Sequence, residues 1–300
     1  MQKQTAYSIE DYEVLEILGR TERLPDYSAI SDFYRGSRVC ITGGAGSIGG
    51  ELVRILHDLK VEIEITAIDF HEYGIYQLRR NYPGVRSILM DAGDPSFEDF
   101  NFDYIFHACA YKQVPLSEDS EKTFEDNNIG SFINVLSHRN DAKLLLVSTD
   151  KAVEPVCAMG RTKQVCEKIA GVYGCSAVRF GNVINSAGSV IPLWMEQLSD
   201  GKNLTLTDEK MKRYFMSRLE ACGLLLEAMT LERGLYTLDM GEQYYLKDLA
   251  EGLILESGLE VGVDVIGMRA GERLEEVLSV KGLRESKIKG IYYEVADKGR

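Results

Sequence analysis

Ser148-Thr149-Asp150-Lys151 follows directly on the apolar stretch Leu144 to Val147. A carboxylic acid and an amine therefore stand side by side where a strand should end. Neighbouring side chains of opposite proton habit at a strand mouth suit proton transfer to and from a small molecule. Eight residues after Lys151 comes Met159-Gly160-Arg161-Thr162-Lys163, which reads as the start of a helix. Met159 and Lys163 are four residues apart and share one helix face. Taken alone, Asp150-Lys151 also suits a helix cap with a solvated lysine, and Met159 suits core packing.

A second constellation lies upstream. Val39-Cys40-Ile41-Thr42 leads into Gly43-Gly44-Ala45-Gly46-Ser47-Ile48-Gly49, and the helical run Glu51 to Leu56 follows. Strand, Gly-x-x-Gly-x-x-Gly turn and helix come in the order that a dinucleotide site requires. Gly43 permits the tight turn, Gly46 lets backbone approach a pyrophosphate, and Gly49 lets helix and strand pack. With Ser47 and Ile48 they place the phosphates at a helix N-terminus. Asp69 ends the next apolar run, twenty positions past Gly49. A carboxylate there binds ribose hydroxyls and repels a 2′-phosphate, which favours NAD over NADP. His71 and Arg79 nearby keep NADP open. Asp91, after the third apolar run, suits either an adenine contact or a loop cap.

These residues need a frame. Short apolar runs at Val39–Ile41, Ile63–Ile68, Ile88–Met90, Tyr104–His107, Leu144–Val147 and Ala177–Val178 alternate with helical patterns such as Gly49–Leu59 and Phe124–Arg139. That alternation predicts an α/β fold: a doubly wound parallel sheet covered on both faces. Residues 1–37 read as a helical lead-in and 38–180 as the dinucleotide-binding part. Residues 181–300 read as a smaller, mainly substrate-binding part, with interleaving of the two left open. Helices are expected near Pro192–Ser199 and Arg218–Met229, and short strands near Leu204–Leu206 and Tyr236–Leu238. The tail after Leu278 is the least readable.

Composition narrows the partners. Among 300 residues, 34 basic against 47 acidic side chains leave a formal charge of −13. That argues against broad contact with nucleic acid or an anionic membrane. No apolar stretch is long enough for a membrane span. Met1 to Glu10 lack a signal-peptide core. The six cysteines have no Cys-x-x-Cys pair, so no metal site is expected and the thiols read as reduced, in a cytoplasmic protein.

The chain resembles the extended short-chain dehydrogenase/reductases, and within them the nucleotide-sugar 4,6-dehydratases of glycan synthesis. The nearest likeness is to the catalytic part of the membrane-anchored polysaccharide-biosynthesis type that acts on UDP-N-acetylglucosamine. The resemblance runs from about Ile17 to Leu278. It is carried by Leu18-Gly19-Arg20, Ile41 to Leu52, His107-Ala108-Cys109-Ala110-Tyr111-Lys112, Ser148 to Lys163 and Phe180-Gly181-Asn182-Val183. Gly188-Ser189-Val190-Ile191-Pro192, Lys212 to Met216, Asp239-Met240-Gly241 and Gly271-Glu272-Arg273-Leu274 continue it. Many short-chain dehydrogenases have Tyr where Met159 stands; the large membrane-anchored subgroup is similar to this chain in having Met. Gln113 replaces a frequent His, and Ala187 replaces a frequent Arg.

The resemblance implies an internal redox reaction. The sugar is oxidised at C4 with NAD as acceptor, water is eliminated across C5 and C6, and the hydride returns to C6. Asp150 would be the general acid for the C6 hydroxyl and Lys151 the base for the C5 proton, which requires Asp150 protonated and Lys151 neutral. Thr149 would bond the C4 hydroxyl, Lys163 would bind the nicotinamide ribose, and Met159 would line the sugar pocket. Ala108 and Ala110 would flank the cofactor. Lys112, Asn182, Val190, Arg213, Arg269 and Glu272 would hold the nucleotide sugar, although Arg213 and Arg269 also suit surface salt bridges. Tyr111 suits either pocket wall or core. Two alternatives stand beside the dehydratase: a nucleotide-sugar 4-epimerase, and a catalytically silent NAD-binding regulator. The Glu125–Arg139 and Met159–Tyr173 helices are candidate faces for a homo-oligomer.

Overall fold

The computed structural model describes residues 7–295. The strands of the first half are β1 (Arg38–Thr42), β2 (Glu64–Asp69), β3 (Arg86–Leu89), β4 (Tyr104–His107), β5 (Lys143–Val147) and β6 (Ser176–Arg179). Then come β7 (Asn182–Val183), β8 (Leu204–Leu206), β9 (Lys212–Arg213), β10 (Phe215–Met216) and β11 (Leu235–Leu238). The remaining strands are β12 (Tyr244–Tyr245), β13 (Val263–Val265), β14 (Leu283–Glu285) and β15 (Ile291–Glu294). The helices are α1 (Asp11–Ile17), α2 (Tyr27–Tyr34), α3 (Ser47–Asp58), α4 (Glu72–Asn81), α5 (Val114–Asp119) and α6 (Glu121–Glu125). They continue with α7 (Ser131–Ser137), α8 (Ala158–Val172), α9 (Val190–Ser199), α10 (Arg218–Ala228) and α11 (Leu246–Ser257).

Nine strands form one sheet in the order β14-β15-β11-β6-β5-β4-β1-β2-β3. The seven from β11 to β3 are parallel; β15 runs antiparallel to β11, and β14 to β15. Continuous apolar text in β1 and β5 matches burial on both faces. One face carries Leu52, Val53, Ile55 and Leu56 of α3 together with Leu224 and Leu225 of α10. The other carries Phe132 and Val135 of α7 with Cys166 and Ala170 of α8. Chain direction across the sheet reverses between β1 and β4, which opens a crevice at the strands' carboxyl ends.

A third apolar cluster builds the smaller part. Trp194 and Leu198 of α9 pack against Leu249 and Leu253 of α11, with Val14 and Leu15 of α1. The lead-in therefore serves both parts, since Ile30 and Tyr34 of α2 belong to the main core. Tyr34 donates its hydroxyl proton to the Leu226 carbonyl, satisfying a fully buried group.

Two segments differ from the sequence expectation. Phe124–Arg139 is not one helix: a π-helical segment at Asp126–Gly130 separates α6 from α7, and α7 ends at Ser137. The wider turn aims the Asn128 side chain at the loop after β4. The tail forms the β14–β15 hairpin, so residues past 280 and β11 extend the same sheet that holds β1–β6. No helix among the described residues is long and apolar enough to cross a membrane.

Candidate active site

Gly43, at φ +70°, turns the chain out of β1, and a Cβ there would lie 2.6 Å from the Cys109 amide nitrogen. A Cβ on Gly49 would lie 2.1 Å from the Gly43 carbonyl oxygen. Helix α3 therefore reaches the sheet only with glycine at both places. Gly46 caps α3, and Ser47 Oγ accepts a hydrogen bond from the Ala187 amide at 3.0 Å. Asp69 accepts from the Ala45 amide at 3.0 Å and the His71 amide at 2.9 Å. Its carboxylate thus shapes the glycine turn and marks the crevice beside β2. Ala108 continues the β1–β4 ladder through its amide to Thr42 O, and Ala110 follows, both half-buried. Asp91 is exposed and binds the Gly93 amide at 2.8 Å, the geometry of a loop carboxylate.

The acid–amine pair sits at the end of β5. Thr149 Oγ1 donates to Asp150 Oδ1 at 2.8 Å, and Lys151 Nζ donates to the same oxygen at 3.0 Å. Asp150 is 1% exposed, and its Oδ2 has no hydrogen-bond partner among the described residues. Lys151 keeps 21% of its side chain exposed. Helix α8 packs directly on this turn: a Cβ on Gly160 would lie 2.3 Å from the Lys151 carbonyl oxygen.

Lys151 has a second anionic partner. Glu276, 4% exposed, lies 3.1 Å from Lys151 Nζ and 3.6 Å from Arg213 Nε. Asn182 Oδ1 completes the surround at 3.5 Å. Burial pulls the Lys151 ammonium down, but the charges of Asp150 and Glu276 outweigh it and leave the pKa above the ordinary lysine value. The two carboxylates favour the ammonium form, whereas the base role expected of Lys151 needs the neutral amine. Asp150 is the more deeply buried member of the pair.

Lys163, 6% exposed, makes no hydrogen bond or ion pair among the described residues. Burial lowers its pKa, opposed by Cys166, Cys109 and Glu167. A lysine this deeply set, close enough to His107 and Cys109 at the end of β4 to shift their pKa values, fits the ribose of a dinucleotide. Met159 is 4% exposed and packs with Phe124, Cys157 and Val114.

The remaining expected ligand contacts divide. Lys112 is exposed by area, yet partial desolvation and the nearby Lys151 charge lower its pKa. Arg213 is buried and donates to the carbonyls of Lys212 and Leu274, not a surface salt bridge. Val190 opens α9, half-buried against the third cluster. Arg269 is exposed, and its amide donates to the Glu272 carboxylate at 2.9 Å, so the two form one turn. The two unusual positions both meet the loop before α9. Gln113 Nε2 donates to the Gly188 carbonyl at 3.2 Å, and Ala187 binds Ser47.

The sequence profile of the polysaccharide biosynthesis protein family matches residues 39–295. The chain belongs to that family. This family member is 34% identical over 300 residues to the probable polysaccharide biosynthesis protein EpsC of Bacillus subtilis strain 168. The match covers 91% of this chain and 50% of EpsC, so the chain spans half of that relative's length. It is 32% identical over 283 residues to a UDP-glucose 4-epimerase of Rickettsia typhi, covering 87% of this chain and 83% of that one. In structure it is similar to Pen from Bacillus thuringiensis, with a TM-score of 0.81 and 26% identity over 88% of this chain and 90% of Pen.

Three features of this polysaccharide biosynthesis family member escaped the sequence reading. Glu276 lies four residues past Glu272 in the same motif, which located the segment but not the acid that matters. Asn128 accepts from the Tyr111 amide at 2.7 Å and donates to Tyr111 O at 3.1 Å and Thr162 Oγ1 at 2.9 Å, fixing the loop that carries Lys112. A buried Arg179 bridges Glu167 at 2.6 Å and Glu294 at 2.7 Å, and Ser148 donates to Glu167 at 2.5 Å. That network ties the tail hairpin to the residue beside Thr149.

Proposed function

We propose that the protein is an NAD-dependent nucleotide-sugar 4,6-dehydratase acting on UDP-N-acetylglucosamine. The observation that carries this reading is the hydrogen-bonded Asp150–Lys151 pair at the end of β5, with Lys151 the more exposed of the two. An enzyme that only oxidises and reduces C4 has no need of such a pair.

Residues 38–180 hold the cofactor, and the part beyond 181 holds most of the nucleotide sugar. The glycine turn and the α3 N-terminus receive the pyrophosphate, Asp69 the adenosine ribose, and Lys163 the nicotinamide ribose. NAD, when bound, supplies the hydride acceptor and donor. The Asp69 carboxylate disfavours a 2′-phosphate, hence NAD and not NADP. Ala108 and Ala110 let the cofactor lie close to β4. Lys112, Asn182 and Val190 line the approach of the sugar nucleotide, and Arg269 with Glu272 meets its outer end.

Oxidation at C4 acidifies the C5 proton. Lys151 passes one proton to Asp150 across their bond and becomes the neutral amine that takes the C5 proton. The resulting ammonium delivers that proton to the departing C6 hydroxyl, which leaves as water. The proton held by Asp150 returns through Lys151 to C5 when C6 is reduced, and the C4 hydroxyl proton, released during oxidation through a water held by Thr149, restores the Lys151 ammonium. Thr149, bonded to Asp150, orients the carboxylate and faces the C4 hydroxyl. The protein works in the cytoplasm as a homo-oligomer paired through α7 and α8.

A second reading is a nucleotide-sugar 4-epimerase, favoured by the identity to the Rickettsia typhi protein. Incubation with UDP-N-acetylglucosamine and NAD separates the two. Loss of water supports the dehydratase; conversion to the galacto isomer at unchanged mass supports the epimerase.

A further inference from the structure

We propose that Glu276 is a positioning residue that fixes the direction and charge of Lys151, and that the Gln243 side chain holds Glu276 in place for this purpose. The role rests on the reading of Lys151 as the proton carrier.

The geometry is specific. Gln243 Nε2 donates to the Glu276 carbonyl at 3.2 Å, and the Glu276 amide donates to Gln243 Oε1 at 3.1 Å. One side-chain amide therefore grips both polar groups of the Glu276 backbone, as a neighbouring strand would. Two residues earlier, the Leu274 carbonyl accepts from the Lys212 amide at 2.7 Å and from Arg213 Nη1 at 3.3 Å. The segment is thus fastened at the residue whose carboxylate enters the cluster and two residues before it. A carboxylate 4% exposed needs paired charge, and Lys151 with Arg213 provides it.

The groups facing Lys151 come from every element around it. Asp150 lies in its own turn, Glu276 on the fastened segment, Arg213 on β9 and Lys112 on the loop after β4. Cys157, preceding α8, feels Lys151, Glu118 and Glu276 together. Glu276 competes with Asp150 for the ammonium hydrogens and so opposes the inward proton transfer until substrate enters. It also pulls Nζ toward Asn182 and the cleft. Glu276→Gln keeps the shape and removes the charge.

The test reads Lys151 itself and needs no turnover. The full chain with saturating NAD is acetylated by acetic anhydride across a pH series, and Lys151 modification is quantified by peptide mass spectrometry against exposed Lys210. In Glu276→Gln the midpoint of Lys151 labelling moves to lower pH by about one unit or more. Gln243→Ala moves it the same way by less. Where turnover is measurable, the alkaline limb of kcat moves with the labelling midpoint. Coincident labelling curves in the wild type and a folded Glu276→Gln variant overturn the proposal, whatever reaction the enzyme performs. A wild type without dehydratase activity, with the labelling shift present, overturns only the functional reading.

Discussion

Lys151 is the more exposed partner of Asp150: its ammonium donates to Asp150 Oδ1 at 3.0 Å, with 21% of the lysine side chain exposed against 1% for the aspartate. One shared proton lets this pair act as base and acid in turn. Depth decides the division of labour, since only the lysine reaches a substrate.

Removing either partner separates binding from chemistry. Lys151→Ala is expected to lower kcat by about 10²–10⁴-fold while NAD binding persists. Asp150→Asn removes the proton acceptor and is expected to fall in the same range. Steady-state turnover with NAD titration checks both. Near-normal turnover in Lys151→Ala removes it from the mechanism.

His107 predicts an acid sensitivity of the fold. Burial, helped by the Lys163 charge, lowers its pKa from 6.5 to about 3, and it is hydrogen-bonded to Thr42 Oγ1 at 3.1 Å. Between those values the unfolded chain binds a proton that the native chain does not. The contribution is complete above the unfolded value and is lost as pH falls, by about 1.4 kcal/mol per pH unit. Urea unfolding at pH 7.5 and 5 measures it. His107→Gln should lose less stability on acidification; equal losses would contradict the assignment.

Met159 sits in a closed apolar cluster with Phe124 and Cys157. Met159→Tyr, the residue common in the wider superfamily, is expected to fold but to lose about 1–3 kcal/mol through overpacking. A denaturation midpoint equal to wild type would show an open pocket at that position instead.

Arg179→Ala leaves Glu167 and Glu294 buried without their cation. The expected loss is about 3–5 kcal/mol. Chemical denaturation reads it, and a loss below about 1 kcal/mol would mean the carboxylates find other partners.

The parallel strands were legible because burial on both faces writes them as unbroken apolar runs, as at Leu144–Val147. The glycine turn and Thr149-Asp150-Lys151 were legible because their chemistry lies within a few consecutive residues. The hairpin of β14 and β15 was not. Its residues alternate at a sheet edge, and its anchor, Glu294, finds Arg179 only 115 positions away. Periodicity alone also cannot show the π turn at Asn128, whose side chain is spent on loop backbone. The second carboxylate beside Lys151 was not legible for the same reason: Glu276 reaches it only through the fold. The carboxylate nearest Arg213, also Glu276, is equally remote in sequence.

The most direct test is mass spectrometry of UDP-N-acetylglucosamine incubated with the protein and NAD in heavy water. The account predicts loss of one water and one deuterium at C5, delivered through the exchangeable Lys151–Asp150 pair. Conversion to the galacto isomer without loss of water, or loss of water with no deuterium at C5, would contradict it.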